Sequence, residues 1–196
     1  HFVEELNWRI RDPIDWLCHN FAGRGMMPPI AWLTPIGLLR RAGPWDERLS
    51  LNDDGEYFTR VLLAAKQIIF CPNAHAFYRS NLGTSMSQRT SRGAWESALL
   101  SHELCTGHLL TVEDSPRTRR ACADLFQRFA FALYPEQPDL VETCEERSRK
   151  FDGSRLKPGG GIIFRVLTAT AGWKVARRVQ RRARLINIGI RSLKKV

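Results

Sequence analysis

The sequence predicts an α/β body followed by an all-helical C-terminal region, and two observations carry that prediction. Around residues 53–79 a helical pattern, "DDGEYFTRVLLAAKQ", leads into the apolar run "IIFC", the turn Pro72-Asn73 and a second short run, "AHAFYR". A run of four apolar residues bounded by turn residues suits a buried strand, and a helix followed by strands suits an α/β layer. Beyond about residue 93 apolar residues recur only at helical intervals. The expected division is therefore a mixed body over 1–92, a helical subdomain over 93–152 and a basic tail over 153–196.

Residues 1–31 hold aromatic and apolar side chains without long periodicity, and "HNFAGRGMMPP" reads as loop because Gly and Pro punctuate it. "IAWLTP" suits a short strand. "IGLLRRAG" suits one or two helical turns with Ile36, Leu38 and Leu39 inward and Gly43 closing the end. In "DDGEYFTRVLLAAKQ", Tyr57, Val61, Ala64 and Ala65 repeat at helix spacing, widened by Phe58 and Leu62. "SNLGTSMSQRTSRG" is a polar loop. Helices are expected over Ala94–Leu110 and Pro116–Leu133, then a charged one in "LVETCEERSRKF". After the break in "LKPGGG", the residues Val166, Ala169, Trp173, Ala176, Ala183, Ile186, Ile190 and Leu193 recur at steps of three, four or seven. That stripe predicts one long amphipathic helix, weakened at Gly172 and Gly189.

Charge is unevenly spread. The net charge is +10, yet residues 153–196 alone hold 12 Lys or Arg and no acid, leaving 18 bases against 20 acids before them. A nearly neutral body with a basic tail points to an anionic partner for the tail, either a membrane surface or nucleic acid. The regular stripe, which includes Trp173, favours an in-plane helix on the inner face of the cell membrane, since a phosphate-groove binder does not need it. No run of 18 apolar residues occurs, so no span is expected. Five scattered cysteines without a C-x-x-C pair suit reduced thiols and a cytoplasmic, membrane-peripheral protein. No P-loop and no G-x-S-x-G elbow is present. His102, Cys105 and His108, at i, i+3 and i+6, share a helix face, but they lack the order and the fourth ligand of a zinc site.

The stretch "AGPWDERLSLNDDGEYFTR" crowds Asp53, Asp54 and Glu56 together. Asp53 and Glu56 have the form of a capping box. The wider run offers a second reading. Trp32 is followed by a short helix ending at Gly43, then by the loop Trp45, Asp46, Glu47, Leu49. The acids Asp53, Asp54 and Glu56 come next, with Arg60 four residues on, and an apolar strand and a Pro72-x-Ala74 turn close the set. This ordered set, over about residues 30–90, resembles the second half of the catalytic domain of family 2 glycosyltransferases, which have the GT-A fold. The resemblance implies an inverting transfer of a sugar from a nucleotide-sugar donor to a hydroxyl of a glycan or lipid-linked acceptor, as in cell-surface polysaccharide or glycoconjugate synthesis. It assigns Asp54 as the general base. A carboxylate beside another has its pKa raised, which suits that role. Asp53 and Glu56 would orient the site or bond acceptor hydroxyls. Trp32 would stack on a sugar face, with core packing as the alternative. Relatives carry an Asp-x-Asp motif that holds a divalent ion, Mg or Mn, on the diphosphate. No such motif occurs here, so those ligands are expected outside this chain and the chain is expected to be the inactive C-terminal part of a longer enzyme. Where relatives place a His, this chain has Tyr78-Arg79. Arg79 would contact the diphosphate, or form an ordinary surface salt bridge. The rival to this enzyme reading is a nucleic-acid-binding module acting through the basic tail, and a third reading is a tail that docks on a partner helix.

Overall fold

The computed structural model describes residues 8–25, 28–77 and 91–193, with backbone alone for 184–193. Among these residues the regular structure is helical: α1 (Pro13–Phe21), a single 3-10 turn (Pro29–Ala31), α2 (Ile36–Ala42), α3 (Asp53–Leu63), α4 (Arg92–Val112), α5 (Pro116–Leu133), α6 (Pro138–Arg149), α7 (Ile162–Ala171) and α8 (Trp173–Leu193).

α5 is the hub. Its residues Cys122, Leu125, Phe126, Phe129, Ala130 and Leu133 follow the i, i+3, i+4, i+7 rhythm and are all buried. Pro116 sits at its first position, and Ser115 and Thr118 form a reciprocal capping box. One end of α5 packs with Trp16, Leu17 and Phe21 of α1, Leu62 of α3 and Cys105 and Leu109 of α4. The other end packs with Ala98 of α4 and with Leu140, Val141 and Cys144 of α6. Phe126, 1% exposed, joins the second cluster; burying such a side chain is worth about 1.5–3 kcal/mol.

The expected α/β body, and with it half of a GT-A domain, is not what forms: no strand occurs among the described residues. The run Ile68–Cys71 is irregular. A strand is stable only beside a partner, and among the described residues a single backbone bond, from Ile68 N–H to the Arg11 carbonyl at 2.8 Å, ties the run to the body. Ile69 and Phe70 are exposed, Phe70 stacking on Trp8 at 4.5 Å. Residues 74–77 are likewise irregular, and the remainder of that expected strand, Tyr78 and Arg79, lies outside the described residues, as does most of the polar loop after it. The expected strand at "IAWLTP" begins instead as the 3-10 turn, where Pro29 fixes φ at the first position.

Three smaller corrections follow. α1 replaces part of the expected loop: Asp12 accepts the Asp15 amide at 2.8 Å and Pro13 takes the first position, which is enough to start a helix. α2 ends at Gly43, at φ 81, but Ile36 faces outward at 63% exposure. The long tail helix is two helices, because Gly172 takes φ 85, where an L side chain is strained.

Candidate functional site

The acidic stretch is held between α2 and α4. The Ser97 hydroxyl of α4 accepts the amides of Ser50 and Leu51 at 2.7 and 3.2 Å. Asn52 takes a left-handed backbone conformation at φ 61. Its side-chain amide donates to the Ser101 hydroxyl at 2.8 Å, and that hydroxyl donates back to the Asn52 carbonyl at 2.7 Å. The turn therefore fixes where α3 begins. Asn52 is the residue before the helix and makes no side-chain cap, and Asp53 is the first helical residue. The capping-box form of Asp53 and Glu56 is thus not realised, because the capping position belongs to Asn52 and the Asn52 side chain is committed to Ser101. Gly55 follows from the same turn: a Cβ there would meet the Asn52 side chain at 2.7 Å.

The three acids then diverge by helical geometry. Glu56 points into the body and is 2% exposed. Arg60, one turn on, donates to it twice, Nε to Oε1 at 2.7 Å and Nη2 to Oε2 at 2.9 Å. His108 Nε2 of α4 lies 3.0 Å from Oε1. Arg60 also donates to the carbonyls of Ala42 and Pro44, tying the end of α2 to α3. Glu56 is therefore engaged on both oxygens as the anchor of this corner.

Asp54 is half-buried on a different face. One oxygen accepts the Gly55 amide at 2.9 Å. Burial pushes its carboxyl above the ordinary range. The Gly55 amide works against that shift, and the neighbouring Asp53 adds to it. Tyr57 and Phe58, three and four residues on, share its side of the helix. Both belong to an aromatic wall. Trp45 stacks on Tyr57 at 4.3 Å with 8° between planes and meets Phe58 edge-on. Trp32 stacks on Phe58 at 5.7 Å and meets Trp16 edge-on at 5.2 Å. Trp32 thus packs in the wall while remaining partly open, and Trp45 is 41% exposed. Asp53 and Asp54 begin α3, Trp32 reaches that helix through Phe58, Glu56 turns into the body, and Arg79 lies outside the described residues.

The shared face of His102, Cys105 and His108 does form, and it meets α3. His102 Nδ1 lies 3.5 Å from the Asn52 amide, Cys105 accepts from Thr59, and His108 meets Glu56. Burial lowers His102 to about 4. Among the described residues no group of three His, Cys, Asp or Glu side chains could hold a metal ion. All five cysteines are free. Burial pushes Cys105, Cys122 and Cys144 to about 12 and Cys18 to about 11, so these four are protonated near neutrality and poor nucleophiles. The role of His108 was not foreseen from the sequence; its signal is the common spacing with His102 and Cys105, which marks a face that must meet something polar.

Comparison with protein-family profiles, curated proteins and solved structures gave no match. With no strand among the described residues and no family match, the resemblance to family 2 glycosyltransferases is not upheld as a statement of fold or family.

Proposed function

We propose that Asp54 is the proton acceptor of a hydroxyl-activating site, and that the reaction is transfer of a sugar from a nucleotide-sugar donor to that hydroxyl with inversion. The reading rests on side-chain placement and not on fold or family. Its main support is the position of Asp54: half-buried, raised in pKa, and beside an aromatic wall with Trp45 open to solvent. A raised carboxylate is a better base near neutral pH. Aromatic planes offer the apolar C–H face of a sugar a surface to stack on.

In the proposed step the acceptor oxygen attacks the anomeric carbon, the bond from that carbon to the diphosphate breaks, and Asp54 takes the hydroxyl proton. Trp45 and Trp32 hold the sugar rings, and Asp53 orients an acceptor hydroxyl. Glu56 and Arg60 act as positioning residues, because they fix the corner from which Asp54 projects. The described residues do not fit a divalent ion, so a Mg or Mn ion on the diphosphate would take its ligands from elsewhere and no step is assigned to it. Ile30, Leu33 and Ile36 leave an apolar flank near the wall, at 63%, 100% and 63% exposure, and Ile69 adds to the exposed apolar surface at 66%.

The test is nucleoside diphosphate release from a panel of nucleotide sugars by the complete gene product. Acceptor-dependent release that collapses in Asp54→Asn supports the reading. Absence of release with every donor, or release indifferent to Asp54, refutes it.

A further inference from the structure

The C-terminal pair α7–α8 carries its apolar surface in an unexpected place. Trp173, which the sequence puts on an outward stripe, packs edge-on against Phe131 and Tyr134 at 4.8 and 5.2 Å, and Ala176 is fully buried. Lys174 pairs with Glu145, and Arg181 with Glu136. This side of α8 is spent on docking to α5 and α6. α7 is turned the other way. Its one buried large residue is Phe164, while Ile162, Ile163 and Val166 stand 73%, 78% and 57% exposed. At 3.6 residues per turn Ile162 and Val166 fall opposite Phe164, and Ile163 extends that exposed arc along one flank. On α8, Val175, Val179 and Arg182 are exposed together on one flank of the helix, beside the buried Ala176.

Charge accompanies this surface. Arg155, Lys157, Arg165 and Arg182 are exposed and make no ion pair among the described residues, Arg178 lies over the Tyr134 ring, and no acid occurs after Asp152. Adjacent isoleucines on the outside of a docked helix are costly in water, and unpaired cations beside them disfavour an apolar protein groove. An anionic lipid surface satisfies both, taking the apolar arc into the acyl boundary and the cations at the headgroups.

We infer that α7, through Ile162, Ile163 and Val166 and with the unpaired cations around it, docks the folded protein on an anionic lipid bilayer. This differs from a detached in-plane tail: Trp173 stays in the body and the contact is made by α7. It is independent of the Asp54 reading, since neither set of residues touches the other.

The test uses the full chain in flotation with vesicles of phosphatidylcholine, and of phosphatidylcholine mixed three to one with phosphatidylglycerol. Wild type should favour the anionic vesicles by at least about ten-fold. The triple variant Ile162→Ser/Ile163→Ser/Val166→Ser should lose at least about ten-fold of that binding while its thermal melt is unchanged, because all three side chains are exposed. Added salt should weaken wild-type binding and leave a remainder carried by the isoleucines. Equal binding to both vesicle types overturns the proposal. So does a triple variant that binds anionic vesicles as well as wild type, and so does tight duplex-DNA binding without any vesicle binding.

Discussion

Replacing Glu56 by Ala removes the acid that α3 buries most deeply. Its carboxylate is 2% exposed and receives two bonds from Arg60 and a contact from His108. Removing one member of a buried ion pair costs about 3–5 kcal/mol, because the other charge is left uncompensated. Arg60 is 17% exposed and keeps two backbone carbonyls as acceptors, which places the loss at the low end, about 3 kcal/mol. For a chain of this size that lowers Tm by roughly 6–12 °C. Glu56→Gln keeps the volume and one acceptor and should cost about half as much. Urea unfolding followed by far-ultraviolet circular dichroism measures both. A loss below about 1 kcal/mol for Glu56→Ala would refute the buried anchor and return Glu56 to a solvent-facing acid free to meet substrate.

Two predictions concern pH. Asp54 has a folded pKa above its unfolded one, so its contribution to stability is fully present below the ordinary carboxylate range and is lost as pH rises through the folded value. Asp54→Asn should therefore raise Tm at neutral pH and leave it unchanged in acid; a Tm lowered at neutral pH would mean the charge stabilises the helix start instead. His102 has the opposite sign. Its folded pKa, about 4, lies below its unfolded value, so stability present at neutral pH falls as pH drops from about 6.5 toward 4. His102→Gln should flatten that part of the pH–stability curve by up to about 3 kcal/mol, and an unchanged slope would show that His102 titrates normally.

The helical half of the fold was readable because helices are local. Cys122, Leu125, Phe126 and Phe129 sit on one stripe whatever packs against them, and α4, α5 and α6 fall close to where the periodicity puts them. The strands were not readable in the same way. "IIFC" has strand composition, but a strand exists only with a neighbour to take its backbone bonds, and among the described residues Ile68 finds one bond on Arg11 and no ladder. α1 was overlooked although Asp12-Pro13 announces it, because its apolar residues are few and close to Gly and Pro. At the site, the adjacency of Asp53 and Asp54 was visible in the sequence, but the main cause of the raised Asp54 pKa, its burial, was not. The separation of Glu56 from Asp54 was not, since it depends on α4 bringing His108 to one side of α3 and on Asn52 setting the helix start. The tail's charge was legible throughout; which of its faces points outward was decided by Trp173 finding Phe131 and Tyr134.

The proposed chemistry stands or falls on one comparison: kcat for sugar transfer by Asp54→Asn and Asp53→Asn in the complete gene product, with the fold of each checked by its thermal melt. If Asp54 takes the acceptor proton, Asp54→Asn lowers kcat by at least about 100-fold with KM little changed, while Asp53→Asn costs less. A folded Asp54→Asn protein with near-normal kcat would contradict the assignment and leave the acidic corner as a purely structural helix start.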